Sequence, residues 1–114
     1  QGYARAQFNL GVKFDNGDGV IQDYRTAIFW YKKAARQGHI RARFNLGVIY
    51  YKGLYSTQDF LEAYKWFSLA NETENGINAS DAREKVAALL SSEQLEQAEK
   101  LISDWQLDQS PDNK

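Results

Sequence analysis

The sequence predicts an all-α fold, a solenoid of two helix-pair repeats followed by a third, degenerate pair. Three observations carry this prediction. Sliding the chain by 36 residues lays residues 1–36 on 37–72 without a gap, and 15 of the 36 pairs are identical. Apolar residues in each copy recur at three- and four-residue spacing, the period of an α-helix. The segments between those stripes are rich in Gly, Asp and Asn, which tolerate positive φ and interrupt helices. A fixed period of this length marks stacked repeats.

In the first copy, Ala6, Leu10, Gly11 and Phe14 form one stripe and predict a helix over residues 3–15. Asp15-Asn16-Gly17-Asp18-Gly19 reads as a turn. Asp23 precedes the next stripe (Ala27, Trp30, Tyr31, Ala34) and suits the N-cap of a helix over 23–36. Gly38 falls where that helix should stop. The second copy repeats the plan over 39–52 and 59–71, with His39 as a solvent-facing cap and Asp59 and Glu62 spaced like a capping box. Glycine inside a helix costs about 1 kcal/mol relative to Ala. Gly11 and Gly47 therefore predict close helix approach, with Trp30 or Trp66 as the ring filling the space.

In the third unit, Ala82-Arg83 matches Ala42-Arg43 if the preceding loop is four residues longer. Val86, Ala87 and Leu90 then replace Leu46, Gly47 and Tyr50, predicting a helix over 79–90. Ser91 with Gln94 forms a capping box for a helix over 93–106, whose apolar face is Leu95, Ala98, Leu101, Ile102 and Trp105. The expected domain is 1–107, divided at 1–36, 37–73 and 74–107, with a flexible polar tail over 108–114. An atypical last unit is what an end facing water requires.

Composition narrows the chemistry. The 114 residues are 43% hydrophobic and 25% charged, which excludes wholesale disorder. With no Cys and only His39, neither a disulfide nor a zinc site of His and Cys is possible. No apolar run is long enough to span a bilayer. The net charge of −1 hides a dipole: residues 1–52 sum to +6 and residues 53–114 to −7. That split serves solubility or, more specifically, attracts an anionic partner to a basic groove. There is no Met, so Gln1 is not expected to be a translation start, and Gln1-Gly2 aligns with the repeat junction Gln37-Gly38. At least one further helix is expected before Gln1, without which an apolar patch would stay open here.

No catalytic pattern is found. Gly17-Asp18-Gly19 lacks the third glycine and the preceding strand of a dinucleotide fingerprint. Counted as a calcium loop from Asp15, the glycine and glutamate positions hold Val20 and Thr26. There is no Ser-x-x-Lys, and His39 has no activated Ser nearby. Asn71-Glu72-Thr73 and Asn78-Ala79-Ser80 match the glycosylation sequon, and Glu72 and Glu74 read as solvated loop carboxylates. No cofactor, metal or enzymatic activity is expected.

The pattern Ala6, Leu10, Gly11, Phe14, Gly17, Gly19, Val20, Asp23, Ala27, Trp30, Tyr31, Ala34, Ala35, Gly38 resembles the Sel-1-like repeat family. The second copy keeps Ala42, Leu46, Gly47, Tyr50, Gly53, Asp59, Ala63, Trp66, Phe67 and Ala70, and departs at Tyr55, Ser56 and Asn71, where its loop is expected to differ in shape. The resemblance implies a right-handed α/α superhelix similar to tetratricopeptide repeats. It also implies a non-catalytic adaptor or scaffold binding a peptide or protein segment on its concave face, and slightly favours a bacterial exported or periplasmic setting. In tetratricopeptide domains that grip a C-terminal carboxylate, an Asn lies two residues before the motif glycine and a basic residue six before. Transferred here, that gives Asn9 and Arg5, Asn45 and Arg41, with Lys85 at the Asn position of the third unit. The expected ligand is an acidic or free C-terminal segment. The alternatives are an Asn that merely bonds a neighbouring helix, and a nucleic-acid-binding solenoid using the basic half with Trp30, Trp66, Tyr31, Phe67, Phe14 and Tyr50 as stacking rings.

Overall fold

The computed structural model describes residues 2–70 and 79–109. The helices are α1 (Gly2–Asn16), α2 (Tyr24–Arg36), α3 (Ile40–Lys52), α4 (Phe60–Leu69), α5 (Ala79–Ala87) and α6 (Ser92–Gln109). No strand occurs among the described residues. α4 and α5 stop short of their expected ends, while α6 runs on into the expected tail and places Asp108 4.0 Å from Arg36. Both sequons begin at asparagines outside the described residues, as do Glu72, Glu74 and the rest of the tail.

Caps set the helix starts. The Asp23 carboxylate accepts from the Arg25 and Thr26 amides and from the Thr26 hydroxyl. Asp59 accepts from the Glu62 amide at 3.1 Å. Glu62 does not complete the box. Its carboxylate accepts from the Trp66 indole N–H at 3.2 Å and pairs with Lys65, while the Asp59 amide donates to the Tyr50 carbonyl. Ser91 and Gln94 do close a full box, each side chain accepting from the other's amide.

The repeated connections explain residues that the stripes leave aside. Gly17 and Gly53 adopt left-handed φ of 69° and 68°. Gln22 then donates to the Asp15 carbonyl, and Gln58 to the Tyr51 carbonyl. The Asp23 and Asp59 amides bond the Phe14 and Tyr50 carbonyls in turn. The second connection keeps these bonds despite Tyr55 and Ser56.

The rings against the helix glycines are not the tryptophans. A Cβ on Gly11 would lie 2.5 Å from the Tyr31 ring, and one on Gly47 would lie 2.5 Å from the Phe67 ring. Neighbours on a helix point about 100° apart, so the ring one position after each Trp faces the glycine. Trp66 is 1% exposed, packed into the core of α2 and α3 and edge-on to Trp105 at 5.6 Å. Trp30 is only half-buried, beside Phe29. The same asymmetry runs through the first helices. Ala42 and Leu46 are fully buried against α2, whereas Ala6 and Leu10 are exposed, because no described helix precedes α1.

Arg43 ties the stack together. Its guanidinium donates to the Ala35 carbonyl twice, at 3.0 and 3.1 Å, and to the Leu69 carbonyl at 3.0 Å. These carbonyls end α2 and α4, where the helix dipole favours a cation. The same group lies 5.0 Å over the Trp105 ring of α6. A second core joins α4 to α5 and α6 through Ala63, Tyr64, Phe67, Val86 and Ala98.

Candidate functional site

The first helices of the three units, α1, α3 and α5, line two depressions in succession. The larger, about 680 Å³, lies between α1 and the start of α3 and is bounded by Arg5, Phe8, Asn9, Gln37, His39 and Arg41, among others. Arg5 and Asn9 are one turn apart on α1 and therefore share a face. Arg41 comes from the first turn of α3, where Gly38, at φ 88°, reverses the chain after α2. No carboxylate lines this cavity among the described residues. Neither Arg5 nor Arg41 forms an ion pair among the described residues.

His39 belongs to the same cavity and is not the solvent-facing cap that the sequence suggests. Its ring stacks on Phe8 with centroids 4.4 Å apart. Its Nδ1 accepts from the Ala42 amide at 3.2 Å, so it is the N-cap of α3. A neutral imidazole with Nδ1 as acceptor carries its proton on Nε2. Burial first, then the positive charges of Arg41 and Arg5, hold its pKa below the usual histidine value. The amides of the first turn of α3 add a partial positive charge nearby. The lining thus combines two guanidiniums, an amide and an imidazole N–H, an arrangement suited to an anion.

Asn45 is engaged elsewhere. Its amide donates to the Tyr31 hydroxyl at 3.3 Å, and that hydroxyl donates to Asp15 at 2.8 Å. The chain of bonds braces α3 against α2 and α1; burial first, then the bond to Asp15, raises the Tyr31 pKa, and the Asn45 bond opposes that rise. Asn9, one repeat earlier, is exposed and borders the cavity. Lys85 borders the smaller depression, about 160 Å³, with Phe44, Val48, Tyr51, Lys52, Phe67, Ala82 and Val86. Of the five candidates, the fold brings Arg5, Asn9 and Arg41 together, commits Asn45 to an interhelix bond, and places Lys85 in another depression. The sequence reading missed His39 and Lys52. The repeat alignment held a signal for the first, since His39 stands at the junction where the first copy has Tyr3.

The rings proposed for stacking lie mostly inside: Tyr31, Trp66 and Phe67 are buried, and Trp30, Phe14 and Tyr50 are half-buried. Among the described residues, no group of three or more His, Asp or Glu side chains could hold a metal ion. No described helix is long and apolar enough to cross a membrane.

Two consecutive stretches, residues 4–39 and 40–72, match the profile of the Sel1 repeat. The chain is similar to c5321, a protective antigen present in uropathogenic Escherichia coli strains that displays an SLR fold. The two are 35% identical with a TM-score of 0.84, and the match covers 96% of this chain and 24% of the antigen. It thus spans about a quarter of that protein's length. It is also similar to a Sel1 repeat protein from Oxalobacter formigenes, at 30% identity and a TM-score of 0.52, over 90% of this chain and 89% of that one. No curated protein matches. Sel1 repeat proteins generally serve as non-catalytic scaffolds for protein–protein interaction. With both repeats matched and the helix-pair stack in place, the chain belongs to the Sel1 repeat family.

Proposed function

We propose that this chain is a non-catalytic interaction scaffold that takes an acidic or free C-terminal peptide segment on the face of α1, α3 and α5. The observation that carries this reading is the cavity between α1 and α3, lined by Arg5, Asn9, His39 and Arg41 and, among the described residues, by no carboxylate. Two guanidiniums can share one carboxylate through charge-assisted hydrogen bonds, with the Asn9 amide as a further donor. Asn45 is a structural brace in this account, not a ligand contact. A nucleic-acid partner is less well supported, because exposed stacking rings are what single-strand binding uses.

Calorimetric titration with a hexapeptide ending in Glu-Glu-Asp tests the reading. Arg41→Ala and Arg5→Ala are each expected to weaken binding about tenfold, equivalent to about 1.4 kcal/mol, while the melting temperature holds. Amidating the peptide's C-terminus should weaken it further. Equal binding of acid and amide, with no effect of either arginine, rejects the proposal.

A further inference from the structure

The smaller depression has a different chemistry. Its floor is the buried pair Phe67 and Val86, and its sides are the half-buried Phe44, Val48 and Ala82. Lys52 on α3 and Lys85 on α5 stand exposed at its edge, and neither forms an ion pair among the described residues. An apolar cavity of about 150 Å³ holds a benzene-sized group, and this one measures about 160 Å³.

The sequence explains why space opens here. Between α1 and α3, the His39 ring covers Phe8. Between α3 and α5, the aligned residue is Ala79, and Val86 takes the place of Leu46. Phe44, the repeat counterpart of Phe8, therefore has no imidazole stacked on it, and the smaller side chains of α5 leave a socket.

We infer that this socket takes a branched aliphatic side chain of the same acidic segment whose carboxylate enters the cavity between α1 and α3. The inference rests on the proposed function and adds a second determinant to the ligand. Charge selects the occupant: a bare apolar helix face would gain nothing from Lys52 and Lys85, whereas an acidic peptide gains at both depressions. Spacing follows from the fold. Arg41 and Val48 are seven residues apart on α3, about 10 Å at about 1.5 Å per residue. A lateral offset of up to about 8–10 Å between neighbouring helices brings the separation to about 10–14 Å. An extended peptide covers that in about three to four residues at about 3.3 Å each.

The test uses two peptides, Leu-Leu-Ser-Ser-Asp and Ala-Ala-Ser-Ser-Asp, each with a free C-terminus and an acetylated N-terminus. The leucine peptide is expected to bind the parent protein about tenfold more tightly or better, as expected for burying one Leu side chain. Ala82→Leu, which fills the socket, should abolish that difference, with a thermal melt reporting whether the fold is kept. Lys52→Glu with Lys85→Glu, both at exposed positions, should weaken both peptides without touching the core. If the parent binds the two peptides equally, the socket is overturned. In that case, loss of binding when the alanine peptide is amidated leaves the carboxylate cavity standing. Absence of binding by either peptide overturns both.

Discussion

Gly47 and Phe67 show how one missing methyl group fixes a helix pair. Alanine at position 47 would gain about 1 kcal/mol of helix propensity, but its Cβ would meet the Phe67 ring at 2.5 Å. Overpacking of this kind costs about 1–3 kcal/mol, so Gly47→Ala is expected to destabilise in chemical denaturation. Adding Phe67→Leu, which removes the clashing ring atoms, should recover part of the loss. The glycine pair was legible in the sequence, but the ring was not. Trp66 and Phe67 are neighbours in one stripe, and only the rotation of α4 decides which of them meets the glycine. His39 carries the second prediction at this scale. Its pKa is lowered on folding, by burial and then by Arg41 and Arg5. The unfolded chain therefore binds this proton more readily, and stability rises with pH across the window below the ordinary histidine value of about 6.5. The contribution is present above about pH 6.5 and is lost as the pH falls toward the folded pKa. Urea midpoints measured between pH 7.5 and pH 5 should fall for the parent and fall less for His39→Asn, which retains a capping side chain but does not titrate.

At the scale of elements, the two tryptophans separate what repetition fixes from what neighbours fix. They occupy the same repeat position, yet Trp66 lies between the core of α2 and α3 and Trp105, while Trp30 is half-buried with no such layer among the described residues. Trp66→Ala should cost about 3–5 kcal/mol, as for a large buried aromatic. Trp30→Ala should cost about 1–2 kcal/mol, in proportion to the ring area it buries. Thermal melts of the two variants check the contrast, and equal shifts would contradict the packing described. The caps at Asp23, Asp59 and Ser91 were readable because each bond spans only two or three residues. Arg43 was not, because its value lies in the carbonyls of Ala35 and Leu69, which the fold alone brings to one place. For the same reason Asn45 stayed open between a ligand contact and a bond to a neighbouring helix. Its partner Tyr31 is on another helix, and nothing in the spacing distinguishes a tyrosine hydroxyl from a peptide carboxylate.

At the scale of the whole molecule, the dipolar charge becomes a graded face. Several cations of the basic half are spent internally: Arg43 on helix ends, Arg25 on the Tyr55 hydroxyl and Arg36 beside Asp108. Arg5, Arg41 and Lys52 remain along the face of α1 and α3, where the two depressions lie. The fold class was legible because the period repeats twice without a gap. The proposed binding face was legible only in part, since the sequence named Arg5, Asn9 and Arg41, which line one cavity, but not His39, which joins them through the chain reversal at Gly38. The most direct test of the central claim is an amide chemical-shift map of the ¹⁵N-labelled protein titrated with Glu-Glu-Asp-terminated hexapeptide, as free acid and as C-terminal amide. The acid is expected to shift the amides of Arg5, Asn9, His39 and Arg41 at concentrations where the amide form shifts them little. Equal shifts from both forms, or shifts confined to other faces, would contradict it.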